Sequence, residues 1–110
     1  NAYSGLALDC DEGDRIAAAM GEHSILMMAN HGVAVSGTSV ALAFNDLYYL
    51  ERAAMFQVLA RSTGRPFRVI PDEIVARTRR QVDKELPKLA QRHFTALKRM
   101  LDRKEPDYRN

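Results

Sequence analysis

Two short apolar runs separated by a single tight bend constrain this chain most. Ser24-Ile25-Leu26-Met27-Met28-Ala29 is followed by Asn30-His31-Gly32, and Val33-Ala34-Val35 follows at once, stopping at Ser36-Gly37. The first run is long enough for a buried strand and too short for a buried helix. Asn30 and Gly32 are turn formers that tolerate left-handed backbone. The pattern therefore predicts two strands joined at Asn30-His31-Gly32. His31 falls at a strand end, where a side chain is presented to a cleft. A lone histidine at such a place is by default a hydrogen-bonded turn residue, and spacing alone does not make it a metal ligand.

The rest of the chain reads as helices around this hairpin. Residues 1–10 read as a loop or short edge strand containing Leu6-Ala7-Leu8. Asp11 to Met20 reads as a short helix, with Asp11, Glu12 and Asp14 favouring its N-terminal end through the helix dipole. Gly21 suits its C-terminal cap. Ile16, Ala17 and Met20 share a face, and the alanines suggest close packing on a sheet. The three acidic residues are explained more simply by capping than as a cation cluster.

Thr38 or Ser39 can cap a long helix from Val40 to about Ser62. Its apolar residues run in two rows, Ala43, Leu47, Leu50, Ala54 and Val58, then Ala41, Phe44, Tyr48, Met55 and Leu59. A helix this apolar around its circumference is expected to be buried on more than one side. Tyr48 and Tyr49 suit core or interface better than substrate contact, and Glu51 with Arg52 suits a structural charged pair. Gly64 and Pro66 end the helix, and Phe67-Arg68-Val69-Ile70 forms an extended link. Pro71 opens a last helical region at a first-turn position, supported by Asp72 and Glu73. Pro87 is expected to kink or split that helix near Glu85. His93 lies on its apolar stripe and reads as a packing residue. The tail from Glu105 is irregular.

At 110 residues the chain is one small domain or part of one. It begins with Asn1 and no signal peptide, which reads as a chain already under way, a truncated or processed product. No run approaches the roughly 18 apolar residues of a membrane span, so no membrane partner is expected. Cys10 is the single cysteine, which excludes an internal disulfide framework and a cysteine zinc site and suits a cytoplasmic protein. Acidic Asp9, Asp11 and Glu12 make it a poor candidate nucleophile.

Charge is uneven. Residues 1–76 carry five basic and nine acidic side chains, and residues 77–110 carry eleven and five. A basic helix pair that binds nucleic acid is the reading this invites. No aromatic interleaving or nucleic-acid motif accompanies it, so a solvated helix face is favoured and no nucleic-acid partner is expected. The glycines form neither a dinucleotide fingerprint nor a phosphate loop.

Larger motifs sharpen this. Ala29-Asn30-His31-Gly32-Val33, then Gly37-x-Ser39-Val40, then Leu47-Tyr48-Tyr49-Leu50-Glu51 follow one another. They are preceded by Glu12-Gly13-x-Arg15-Ile16-Ala17 with Met20-Gly21. His93-Phe94-x-Ala96-Leu97-Lys98-Arg99-x-Leu101-Asp102 follows near the C-terminus. In this combination the chain resembles the class II aldolase/adducin family, over nearly all its length. The match is to the C-terminal half of the family's domain, so residues 1–110 are expected to be the C-terminal part of a single such domain.

The resemblance implies an α/β fold, part of an α/β/α sandwich with a mostly antiparallel sheet. Two short strands and long C-terminal helices are the share expected here. It implies a homo-oligomer, commonly a tetramer, and exposed strand edges would themselves require a partner segment. It implies that His31 is a zinc ligand, joined by two histidines of an upstream His-x-His, with an upstream glutamate as acid/base. Only His23, His31 and His93 occur here, and no two form His-x-His. One ligand does not make a catalytic zinc site, so the chain by itself is not expected to be a competent enzyme.

In some relatives a tyrosine near the C-terminus reaches a neighbouring subunit's site, and Tyr108 is the candidate catalytic residue here by position. The implied function is a zinc-dependent lyase or epimerase acting on a small sugar phosphate or keto-sugar. In it the metal would polarise a carbonyl and stabilise an enediolate. The alternative is a non-catalytic, adducin-like assembly or binding domain.

Overall fold

The computed structural model describes residues 10–109. The chain divides into two compact units, residues 1–38 and 39–110. The extended stretch expected around Leu6–Leu8 lies outside the described residues.

Within the first unit, helix α1 spans Cys10–Met20, strand β1 spans Ile25–Met28 and strand β2 spans Gly32–Val35. Asp11 and Glu12 lie in the first turn of α1, where the helix dipole favours them. Glu12 also pairs with Arg15 one turn on. The helix stops at Gly21, whose φ of 53° is left-handed and whose N–H donates to the Ala17 carbonyl at 3.0 Å. Its half-buried stripe runs through Glu12, Ile16 and Met20, while Ala17, Ala18 and Ala19 are exposed. The expected alanine packing is therefore not made among the described residues; the longer side chains at i, i+4 and i+8 form the inner face.

The hairpin is antiparallel, with Ile25 opposite Val35, Leu26 opposite Ala34, Met27 opposite Val33 and Met28 opposite Gly32. The Ser36 N–H donates to the Ser24 carbonyl at 2.8 Å and carries the ladder one step past both strands.

In the second unit, helix α2 spans Val40–Ser62 and helix α3 spans Asp72–Lys104, followed by a 3-10 turn over Pro106–Arg109. Ser39 caps α2: its backbone is extended and its hydroxyl accepts from the Leu42 N–H at 3.2 Å. Thr63 closes the other end and Gly64 leaves it with φ of 67°. Pro71 is the N-cap of α3, one position earlier than the sequence suggests. Its carbonyl accepts from Ile74 and Val75 at 2.9 and 3.1 Å.

Pro87 does not split α3, which runs unbroken for 33 residues. The proline removes one N–H and crowds the preceding turn, but strong helix formers lie on both sides and packing against α2 begins just beyond it. The two helices meet through small side chains. Ala90 is 0% exposed, Ala41 5% and Asn45 4%. The remainder of α2 is less covered than its composition suggests. Every residue from Glu51 to Ser62 is exposed, so burial on several sides is not achieved among the described residues. The cluster of large apolar residues at Met55, Phe56, Val58 and Leu59 faces solvent.

Candidate functional site

His31 sits on a built turn. Its N–H donates to the Met28 carbonyl at 3.2 Å. That bond closes a four-residue turn with Asn30 third, at φ of 58°, the position where a type II turn requires a left-handed residue. Gly32 follows at φ of 143°, which a side-chain-bearing residue reaches only with strain. The two permissive residues on either side explain the local sequence: they reverse the chain in three residues and leave the His31 side chain exposed at the hairpin tip.

As a metal centre, this tip supplies one imidazole. Among the described residues no three of His, Cys, Asp and Glu come together in a cation-sized group. The donor set here therefore fits one ligand of a site, and a complete site needs side chains beyond those described.

His93 lies elsewhere, in the second unit, and does a different job. Its Nδ1 is 3.1 Å from Asn45 Oδ1. An amide oxygen only accepts, so Nδ1 carries the proton. The rings of Tyr48, Phe44 and Tyr49 surround it at centroid distances of 4.7, 5.9 and 5.9 Å, and Phe94 stands edge-on to Phe44 at 5.7 Å. This is a packing histidine with a partner 48 positions away. Sequence gave the packing role and could not give the partner.

Glu51 and Arg52 do not pair with each other among the described ion pairs. The Arg52 guanidinium instead lies 5.2 Å from the centre of the Tyr48 ring, because adjacent residues on a helix point about 100° apart. Tyr48, Glu51, Arg52 and Met55 line a shallow depression of about 200 Å³.

Tyr108 lies in the terminal 3-10 turn. Its hydroxyl donates to Asp102 Oδ1 at 2.7 Å, and Arg109 Nη2 reaches the same oxygen at 2.5 Å. The Tyr108 hydrogen bond, followed by the Arg109 and Lys98 charges, holds the Asp102 carboxyl below the usual carboxylate range against an opposing desolvation. Sequence reading missed Asp102. The signal was present as an acid six residues before a tyrosine, with Pro106 turning the chain between them.

No described helix is long and apolar enough to cross a membrane.

Comparison with known proteins adds the wider context. Residues 2–58 match the family model described as the class II aldolase and adducin N-terminal domain. An aldolase class 2 type protein of Caulobacter vibrioides is 33% identical over 107 residues, covering 96% of this chain and 42% of its own length. The decarboxylase NovR of Streptomyces niveus is 32% identical over 84 residues, covering 76% of this chain and 31% of its own. The crystal structure of an aldolase II superfamily protein from Pseudomonas syringae superposes with a TM-score of 0.83 at 35% identity. It covers 98% of this chain and 44% of that one. The chain thus spans less than half the length of the relatives it matches.

Proposed function

The chain belongs to the class II aldolase and adducin family, and from that premise we propose that it is the C-terminal part of one domain of a metal-dependent lyase or epimerase. The substrate class we assign is a small sugar phosphate or keto-sugar, and the metal zinc or another divalent ion. We assign the protein to the cytoplasm and to a homo-oligomer, with a tetramer as the simplest assembly. The observation that carries the reading is the His31 turn. Asn30 and Gly32 adopt backbone that few residues tolerate, and the result is an imidazole held at a hairpin tip.

When bound, a divalent ion would supply Lewis-acid polarisation of a substrate carbonyl. The chain's own contribution is narrower. His31 would offer one ring nitrogen from the turn between the two strands. Tyr108 would supply a phenolic proton to a neighbouring subunit's site, acting as a general acid.

The second reading is an adducin-like assembly domain without catalysis. It is favoured by the exposed apolar half of α2, which suits contact with another chain. The NovR likeness keeps a third chemistry, decarboxylation, within the same family.

The test uses the full-length product of the gene that encodes this chain. Metal content measured by mass spectrometry should be about one divalent ion per subunit and should fall on His31→Ala. A folded protein with no metal, before and after the substitution, would leave the assembly reading in front.

A further inference from the structure

The C-terminal turn is closed by more than its backbone needs. The Glu105 N–H donates to the Leu101 carbonyl at 2.8 Å and the Tyr108 N–H to the Glu105 carbonyl at 3.3 Å. Those bonds alone end the helix and form the 3-10 turn. Added to them is a ring of three side chains. The Tyr108 hydroxyl donates to Asp102 Oδ1, Arg109 Nη2 donates to that same oxygen, and Arg109 Nε donates to the Tyr108 hydroxyl at 3.3 Å. The guanidinium carbon also lies 5.7 Å from the centre of the Tyr108 ring. The phenol's one proton and one of its lone pairs are thereby both committed, the proton to Asp102 and the lone pair to Arg109.

We propose that Asp102 is the positioning residue for Tyr108, holding the phenol in one orientation on the last turn of α3 with Arg109 as a brace. The inference rests on the assignment of Tyr108 as a catalytic group, which it deepens by naming what aims that group. Neither Asp102 nor Arg109 is required to touch substrate. Asp102 accepts the phenolic hydrogen bond at rest. Tyr108 gives that bond up to donate to a substrate oxygen, and Arg109 then remains on the carboxylate so that the acid is not left unpaired. Arg109 alone would not suffice, because a guanidinium only donates and gives the phenolic hydrogen no acceptor.

The arrangement has a pH signature with a definite sign. Asp102 is held ionised by Tyr108, Arg109 and Lys98, so its folded-state pKa is below its unfolded one. Its contribution is complete above the ordinary carboxylate range and is lost as pH falls through the lowered value. The clamp therefore stays closed at neutral pH and opens in strong acid.

The first arm of the test uses the full-length protein labelled with ¹⁵N and with ¹³C in its tyrosine rings. Heteronuclear NOE values at Tyr108 should match those of α3 and should fall to the level of a free tail in Asp102→Ala. Asp102→Glu should restore part of the order. In the wild type the Tyr108 ring resonances should shift as the solution is acidified below the usual carboxylate range, and in Asp102→Asn that step should be missing. Unchanged order and ring shifts in Asp102→Ala would overturn the clamp.

The second arm uses the active full-length protein. Asp102→Ala should lower kcat by up to about 100-fold, the scale set by a misplaced catalytic group, with KM little changed and partial rescue by Asp102→Glu. Full kcat in Asp102→Ala beside an inactive Tyr108→Phe would overturn the positioning role. Full activity in Tyr108→Phe would instead overturn the catalytic assignment of Tyr108, which the first arm does not touch.

Discussion

The two halves of α2 are made of the same kinds of residues and have opposite fates. From Ala41 to Leu50 the helix has a buried edge at Ala41 and Asn45 and a half-buried flank at Leu42, Ala43, Asp46, Tyr48 and Leu50. From Glu51 onward every residue is exposed, although Met55, Phe56, Val58 and Leu59 are as apolar as anything upstream. Composition does not separate them. What separates them is whether α3 presents something small opposite. Ala90 lets the backbones approach closely, and His93 gives Asn45 a polar partner within the contact. Apolar character makes a helix want cover, and fine complementarity decides where it gets it.

The sharpest way to break this contrast is to spoil the close approach. Ala90→Leu adds volume where no space exists, and overpacking of this kind costs about 1–3 kcal/mol. Thermal unfolding followed by circular dichroism should show it as the largest loss among these variants. An unchanged midpoint would mean the helices do not depend on contact at Ala90.

Next comes the polar link. Asn45→Ala leaves the His93 Nδ1–H without its acceptor, and an orphaned group of this kind costs about 1–3 kcal/mol when buried. His93 is only half-buried, so the low end is expected. A double-mutant cycle with His93→Ala should return a coupling of about 0.5 kcal/mol or more. Strict additivity would show that the 3.1 Å contact contributes nothing.

The smallest effect is expected from the uncovered half. Phe56 is 61% exposed and Val58 67%. Phe56→Ser with Val58→Lys should change the stability of the isolated chain by less than about 0.5 kcal/mol per site. Its self-association, followed by sedimentation velocity, should fall. A large loss of stability with no change in association would mean this half is already packed within one chain, contrary to the contrast drawn here.

The same two halves show what the sequence could disclose. The boundaries of α2 were readable, because Ser39 and Gly64 carry their structural reasons locally: a hydroxyl that caps and a residue that takes a positive φ. The hairpin was readable for the same reason, through Asn30 and Gly32. The α/β class followed from two strands among helices, and the family from the motifs on those elements. What was not readable depends on distance along the chain. The Asn45–His93 link joins positions 48 apart. The exposure of Phe56 depends on what α3 fails to provide.

Two local expectations were also shaped by their surroundings. Pro87 was expected to kink or split α3, and the helix is not split. Glu51 and Arg52, side by side in sequence, diverged on the helix surface. The turn that carries His31 was legible in full. Tyr108 was a candidate by position alone, and Asp102, the acid that its hydroxyl engages, was overlooked.

Pro87 has one remaining consequence. Because it has no N–H, the carbonyl of Asp83 has no partner in the regular ladder of α3. In α3 before Pro87 only Ile74 and Leu86 are even half-buried. After it come Ala90, fully buried, and the half-buried His93, Phe94, Thr95, Leu97 and Asp102. A helix with one missing rung at the border between solvated and packed turns does not melt as one body. Its first half should fray and re-form while its second half waits for the whole unit to open. A single secondary-structure element thus contains two cooperative blocks, with the proline as the boundary that keeps fluctuations of the first from spreading into the second.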